Sequence, residues 1–160
     1  YRIAELLAAG APIDSFGVGT DLSTSRDAPA LGGVYKLVEV EMPDRIEPKM
    51  KLSRDKVTYP YRKQVWREVA EDGSFEADVV AVADESGLPG EPLLVPVMRD
   101  GLLSTTLPGL SEAQARARQQ LVRLPARYKA LREATPYSVR HSPLLEQLQK
   151  DLLRQLASPK

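Results

Sequence analysis

The 160-residue chain has no cysteine, which excludes disulfides, thiolate metal sites and cysteine nucleophiles. It has no excess charge either, because 22 lysines and arginines balance 22 aspartates and glutamates, so no broad basic surface is available for nucleic acid or an anionic membrane. No apolar run approaches the roughly 20 residues that a membrane-spanning helix needs. These absences predict a cytoplasmic protein with no metal site, in which any anion-binding site is local.

The first 20 residues have the pattern of an α/β unit. A helix is predicted from Arg2 to Ala9 and is ended by Gly10, a residue that tolerates the left-handed conformation of a helix cap. A short strand from Ile13 to Phe16 leads into a glycine loop, and the order helix, strand, loop is typical of α/β proteins. Because the helix has no start signal and the chain begins with Tyr1, we expect the chain to be a fragment.

Residues 33–105 are predicted to form a β-rich segment with antiparallel pairing. Valine-rich runs alternate there with turn residues. The clearest hairpin signal is Asp100-Gly101, which lies between Met98 and Leu102. The strand-like runs are 34–41, 63–71, 78–83 and 93–98.

Residues 106–160 are predicted to form a helical tail. Ser111, with Gln114 three residues later, is a capping pattern for a helix that Pro125 interrupts, so two helices are expected before the last one. Ser142 followed by Pro143 predicts the start of the last helix. Leucines repeat along one stripe of that helix at every fourth position, namely Leu144, Leu148, Leu152 and Leu156.

The glycine loop is the best candidate for a binding site. Gly17, Val18, Gly19 and Thr20 offer backbone N–H groups that small side chains leave accessible, and phosphate oxygens accept from such donors. Arg26 adds a guanidinium a few residues later. A glycine pair is also ordinary turn chemistry, so a solvated polar loop is the alternative. Further hydroxyl donors are Ser23, Thr24 and Ser25.

Two ordered blocks of sequence resemble the nicotinate phosphoribosyltransferase family. The first block is IDSFGVGT at 13–20 with APALGGVYKLVE at 28–39. The second is KLS at 51–53, KVTYP at 56–60 and RKQVWR at 62–67. Shorter stretches at 94–98, 100–101, 124–125 and 136–139 resemble the tail of the family, so the resemblance covers nearly the whole chain.

The resemblance implies a type II phosphoribosyltransferase, a ligase-type enzyme of NAD biosynthesis. Such an enzyme forms nicotinate mononucleotide and pyrophosphate from nicotinate and phosphoribosyl pyrophosphate, with ATP and Mg²⁺ as cofactors. The implied fold combines α/β and α+β parts: residues 1–32 close an α/β barrel, 33–105 belong to a second domain, and 106–160 form a helical C-terminal tail. A homodimer is expected, with no nucleic-acid or membrane partner.

The same resemblance assigns roles to individual residues. Gly17, Val18, Gly19 and Thr20 match the loop that receives the 5′-phosphate of the nucleotide, and Arg26 matches a phosphate-contacting arginine of the related nicotinamide-using branch. Four further basic residues are candidates for phosphate or pyrophosphate contacts across the dimer, with a solvated basic loop as the alternative. They are Lys51, Lys56, Arg62 and Lys63.

Part of the family's chemistry is expected upstream of this chain. The family couples ATP through a phosphorylated histidine, and His141, the only histidine here, matches the tail instead, so we expect a surface or capping residue. With that histidine and the nicotinate pocket outside, the chain alone is expected to be inactive, and the alternative function is a catalytically incomplete fragment that binds a phosphate or nucleotide. Tyr61 stands where the family pattern has glycine. No contact distinguishes nicotinate from nicotinamide.

Overall fold

The computed structural model describes residues 2–30, 32–52, 57–133 and 135–157. The chain divides into two compact units, Tyr1–Tyr35 (unit 1) and Lys36–Lys160 (unit 2). No helix in the described part is both long enough and apolar enough to cross a bilayer.

Unit 1 contains the helices α1 (Arg2–Ala8) and α2 (Thr20–Ser23). The end of α1 is as predicted, because Gly10 has a φ of +70° and lies just beyond the last turn. The N–H groups of Gly10 and Ala11 donate to carbonyls of that turn at 3.0 and 3.1 Å, which is the Schellman arrangement. Glycine is favoured there because it adopts this φ without strain.

The strand predicted from Ile13 to Phe16 is wrong. These residues have no ladder partner among the described residues, and unit 1 has no described strand that could pair with them. An extended segment becomes a strand only through hydrogen bonds to a neighbouring strand, which a local pattern cannot supply. Two helices and an unpaired segment do not make an α/β barrel, so the barrel stays a prediction.

Unit 2 is built around a four-stranded sheet and two hairpins. Its described strands are β1 (Glu39–Glu41), β2 (Ile46–Pro48), β3 (Lys63–Val69), β4 (Phe75–Val82), β5 (Glu91–Pro92), β6 (Met98–Arg99), β7 (Leu102–Leu103) and β8 (Val139–His141). The sheet has the order β5-β3-β4-β8, and the hairpins are β1-β2 and β6-β7.

The antiparallel pairing predicted for 33–105 is confirmed, since β3 pairs antiparallel with both β4 and β5. The tail adds β8, which pairs parallel with β4 and makes the sheet mixed. The run 93–98 is not one strand: β5 ends just before it, and β6 begins at its last residue. Pro92 and Pro96 lack the backbone N–H group that a continuous ladder needs.

The predicted hairpin at Asp100-Gly101 is confirmed by the pairing of β6 with β7. Asp100 and Gly101 have φ values of +51° and +78°, which is the positive pair that a two-residue type I′ turn requires.

The N-cap of helix α3 (Leu110–Arg123) is Gly109, two residues before the predicted cap Ser111. The N–H of Gly109 donates to Glu112 Oε2 at 2.9 Å, so Gly109 and Glu112 form the cap in place of Ser111 and Gln114. Beyond Pro125 the second predicted helix is reduced to a single 3-10 turn, Ala126–Tyr128.

Helix α4 (Pro143–Ala157) starts where the sequence predicts. The Leu145 N–H donates to Ser142 Oγ at 3.1 Å, which is an N-cap bond. The predicted leucine stripe is only partly right, because Leu145 and Leu152 are buried whereas Leu144 and Leu156 are 45% and 55% exposed. A four-residue repeat drifts around a helix of 3.6 residues per turn, so the ends of that stripe leave the buried face.

The hydrophobic core of unit 2 lies on β4 and α4. Phe75 and the alternate residues Ala77, Val79 and Ala81 of β4 are buried, as are Leu145 and Leu152 of α4. The small alanines allow close approach to the strand, which fits the contacts between α4 and β4.

Candidate functional site

The glycine segment of unit 1 has an accessible main chain. Residues 17–19 are exposed and irregular, and α2 begins at Thr20. Apart from the glycine and its two chain neighbours, no atom of the described residues lies within 4 Å of where a Cβ would stand on Gly17 or Gly19. Within the described part of the chain, no backbone hydrogen bond is donated by the N–H groups of residues 17–20. These donors are therefore open to an incoming acceptor.

The hydroxyl groups that follow this segment bond to the chain itself. Ser23 Oγ and Thr24 Oγ1 donate to the Thr20 carbonyl at 3.1 and 2.8 Å. Arg26 Nη1 lies 3.4 Å from Asp21 Oδ2, and both side chains are largely exposed, so this ion pair is weak. Arg26 could exchange this partner for an anionic ligand at small cost.

The predicted basic residues of unit 2 are organised by one turn before β3. Tyr61 has a φ of +65°, so a tyrosine holds a left-handed conformation that glycine adopts without strain. Glu39 accepts from the backbone N–H of Arg62 at 3.0 Å and from its Nε at 2.7 Å. Lys63 Nζ donates to the Tyr61 carbonyl at 2.7 Å. Burial lowers the pKa of Lys63, while the nearby Glu39 carboxylate opposes that change.

Lys51, a further basic candidate, lies before this turn in the chain. The Lys51 N–H donates to Thr58 Oγ1 at 2.8 Å, and the Thr58 N–H donates back to the Lys51 carbonyl at 3.3 Å. Lys56, between them, is outside the described residues. The structure thus places Arg62 and Lys63 on one turn and Lys51 at the base of the neighbouring loop, all in unit 2, whereas Gly17–Thr20 and Arg26 belong to unit 1.

His141 has a packing role in the structure. Its ring stacks on Tyr59 with centroids 3.9 Å apart and planes 18° apart. It ends β8 and immediately precedes Ser142, the N-cap of α4. The expected position beside the helix cap is therefore observed, although the ring is half-buried rather than fully on the surface.

A cluster around Arg67 was missed by the sequence reasoning. Its Nε and Nη2 donate to the two carboxylate oxygens of Asp78 at 2.9 and 2.8 Å, and the Tyr137 hydroxyl donates to Asp78 Oδ1 at 3.3 Å. The guanidinium lies 4.5 Å from the centroid of the Phe75 ring. The bond to Asp78 raises the pKa of Arg67, and burial raises the pKa of Tyr137. No local pattern signals the cluster, because its members come from β3, β4 and the tail.

Known proteins match this chain in sequence. The family model for the nicotinate phosphoribosyltransferase C-terminal domain matches residues 88–149. Nicotinate phosphoribosyltransferase pncB2 of Mycobacterium tuberculosis is 48% identical over 86% of the chain, and human nicotinate phosphoribosyltransferase is 34% identical over 94% of it. These matches cover 28% and 32% of the two relatives, so the chain spans about three tenths of the length of the curated relatives it matches.

The fold is also similar to a solved structure. The crystal structure of human nicotinic acid phosphoribosyltransferase aligns with a TM-score of 0.63 and 28% identity, over 78% of this chain and 27% of that one. Sequence and fold thus point to the same family. The chain belongs to the nicotinate phosphoribosyltransferase family and corresponds to the C-terminal domain region of its members.

Proposed function

We propose that this chain serves as the C-terminal region of an enzyme that forms nicotinate mononucleotide from nicotinate and phosphoribosyl pyrophosphate, with ATP coupling, in NAD salvage. The observation that carries the proposal is the 48% identity to the Mycobacterium tuberculosis relative over 86% of the chain. The working assembly is proposed to be a homodimer.

The contribution proposed for unit 1 is to hold the 5′-phosphate of the nucleotide. Phosphate oxygens need several donors at close range, and the open N–H groups of residues 17–20 supply them without side-chain obstruction. Arg26 adds charge because its exposed ion pair with Asp21 is readily exchanged.

Unit 2 is proposed to contact phosphate or pyrophosphate through the turn that carries Arg62 and Lys63. Glu39 holds Arg62 through Nε, while the arginine side chain stays 62% exposed and can offer its other donors to an anion. Lys63 and Lys51 are proposed to add to this surface, with Lys56 as an untested member outside the described residues.

The ATP and Mg²⁺ of the family have no assigned site in this chain. Among residues 2–30, 32–52, 57–133 and 135–157, no three histidine or carboxylate side chains are grouped to hold a metal ion. Both ATP and Mg²⁺ stay implications of the family.

A chimera tests the proposed function. The region of the Mycobacterium tuberculosis relative that matches this chain is replaced by the 160 residues, and product formation from nicotinate, phosphoribosyl pyrophosphate and ATP is followed. We expect nicotinate mononucleotide to be formed, whereas the same relative with that region deleted should form none. A folded chimera that binds nicotinate mononucleotide without forming it would favour the binding-only alternative.

Substitutions in the chimera test the phosphate role of the glycine segment. Gly19→Val puts a branched side chain where the phosphate is proposed to bind, so nicotinate mononucleotide affinity should fall by more than about a hundredfold. Thr20→Val removes one hydroxyl and should cost roughly ten- to a hundredfold, as for a lost hydrogen bond to a charged group. Ala4→Val, at an exposed position of α1, is the control for added bulk. Unchanged binding by folded Gly19→Val protein would exclude the assignment.

A further inference from the structure

A cavity of about 210 Å³ lies beside the Arg67 cluster in unit 2. Its walls are mostly carbon: the rings of Phe75 and Tyr137 and the side chains of Leu121 and Leu124, with Arg67 and Gln120 as the polar members. The cavity shares no residue with the segments proposed to bind phosphate. It combines an apolar wall with few polar groups, as small-molecule sites do.

The size of the cavity limits what it can hold. An engineered cavity of about 150 Å³ with an apolar lining binds benzene, so about 210 Å³ leaves room for one six-membered ring with a small substituent. Two aromatic walls favour a planar ring, because offset or edge-on ring contacts add to the burial of apolar area.

The charges around the cavity cancel. Arg67 is paired with Asp78 through two hydrogen bonds, and Arg123, 4.6 Å from the centroid of the Phe75 ring, lies 3.5 Å from Glu91. An anionic ligand would therefore meet no net positive charge and would lose its hydration on entry. This balance favours an uncharged molecule.

Two donors remain for a ligand. Asp78 accepts from the Nε–H and from one N–H of Nη2 of Arg67, and also from the Tyr137 hydroxyl. Arg67 Nη1 meets Gln120 Oε1 only at 3.5 Å, the long limit of a hydrogen bond, and the amide of Gln120 can turn to donate. A single acceptor, such as a carbonyl oxygen, would satisfy both groups.

We propose that the cavity lined by Arg67, Phe75, Gln120, Leu121, Leu124 and Tyr137 binds a small uncharged aromatic molecule that carries one hydrogen-bond acceptor. The ring of the ligand contacts Tyr137 and the edge of Phe75, because Arg67 and Arg123 lie over the Phe75 ring at 4.5 and 4.6 Å from its centroid. The acceptor faces Arg67 Nη1 and the Gln120 amide.

Titration with acetophenone, followed by NMR of the ¹⁵N-labelled chain, tests the proposal. We expect saturable shifts at the Gln120 side-chain amide and at residues 121 and 124, with a Kd on the order of 0.1 to 1 mM. Benzoate, of nearly the same shape but charged, should bind at least about tenfold more weakly. Absence of saturation up to about 20 mM acetophenone, or equal binding of benzoate, would overturn the proposal.

Neighbouring residues of α3 offer a matched pair of variants. Leu121→Trp fills the cavity from a position that is 59% exposed, and it should weaken acetophenone binding at least about tenfold. Val122→Trp, 80% exposed and outside the lining, should leave it unchanged. Gln120→Leu keeps the side-chain volume, removes the amide and should weaken binding about fivefold, which keeps the test valid if Leu121→Trp does not fold. Binding unaffected by both cavity variants would contradict the assigned site.

Discussion

Tyr61 holds a backbone conformation that glycine adopts without strain. At a φ of +65° a non-glycine residue costs about 1 to 2 kcal/mol, and a β-branched residue costs more. We expect Tyr61→Gly to change the free energy of unfolding by less than about 1 kcal/mol, because the relief of strain offsets lost ring contacts and the added freedom of the unfolded chain. Tyr61→Val should lower it by about 1 to 2 kcal/mol.

Urea unfolding of the two Tyr61 variants measures this difference. A valine variant that is as stable as the glycine variant would show that the positive φ is not maintained in solution. The conformation of Tyr61 also bears on the proposed phosphate contact. The Tyr61 carbonyl accepts a hydrogen bond from Lys63 Nζ, and Lys63 is one of the residues proposed to contact phosphate.

Tyr137 should make stability depend on pH in the alkaline range. Burial, then the nearby Asp78 carboxylate, raise the pKa of Tyr137 above its unfolded value of about 10. A raised pKa means that folding favours the protonated phenol, so this stabilisation is complete below about pH 10 and is lost as the pH rises through the folded-state pKa. Between pH 9 and 11 the parent should therefore lose more free energy of unfolding than Tyr137→Phe does.

The control is the comparison of the same two proteins between about pH 7 and 8, where the phenol is protonated in both the folded and the unfolded chain. In that range urea unfolding should give a constant difference in the free energy of unfolding between the parent and Tyr137→Phe. If the free energy of unfolding of Tyr137→Phe had the same pH dependence as that of the parent between pH 9 and 11, folding would not favour the protonated phenol.

The residues of the candidate sites differ in how far the sequence could predict them. The glycine segment could be proposed from the sequence because its donors are consecutive in the chain, and its phosphate-binding role stays a prediction. Arg67, Asp78 and Tyr137 could not be, because a carboxylate between an arginine and a phenol arises only when β3, β4 and the tail are brought together. Such a cluster depends on tertiary contacts, which no single segment of the sequence indicates.

At the scale of elements, Ser142 is the clearest determinant of a helix start. Its buried Oγ accepts from the Leu145 N–H at 3.1 Å and donates to Glu85 at 2.6 Å. Ser142→Ala should lower the free energy of unfolding by about 1 to 2 kcal/mol, since it removes the cap and leaves Glu85 without this donor.

Ser111→Ala is the matched control for the cap of α4. Ser111 was the predicted cap of α3, but it lies inside that helix and is exposed. Ser111→Ala should therefore change the free energy of unfolding by no more than about 0.5 kcal/mol. Thermal or urea unfolding of both variants measures the contrast. A loss at Ser111 as large as that at Ser142 would contradict the observed start of α3.

Elements were predictable where local chemistry decides them. Gly10 ends α1, Asp100-Gly101 turns the β6-β7 hairpin and Ser142 starts α4, and each does so through its own dihedral angles or side chain. The strand at 13–16 and the strand β8 show the opposite case. Residues 13–16 have no partner strand and form no strand, whereas the three residues of β8 pair with β4 and do form one. Pairing with a neighbouring strand therefore outweighs the local sequence pattern.

At the scale of the whole molecule, burial is unequal between the two units. Every buried residue of the described chain belongs to unit 2, and none lies in residues 2–30. Amide hydrogen exchange should therefore be slow in β3, β4 and α4 and close to unprotected rates in α1 and α2. Mass spectrometry of peptides after exchange measures this, and protection in α1 equal to that in β4 would contradict the expectation.

The parallel pairing of β4 with β8 sets an order for the refolding reaction. The β3-β4 hairpin closes a short loop, whereas β8 reaches β4 only after residues 83–138 have been looped back. Closing the longer loop costs more entropy, so β8 and the attached α4 should dock after the rate-limiting step. In stopped-flow experiments, Leu152→Ala should then mainly accelerate unfolding, while Val79→Ala should slow refolding. The reverse pattern would mean that the C-terminal helix helps to nucleate the sheet on which it rests.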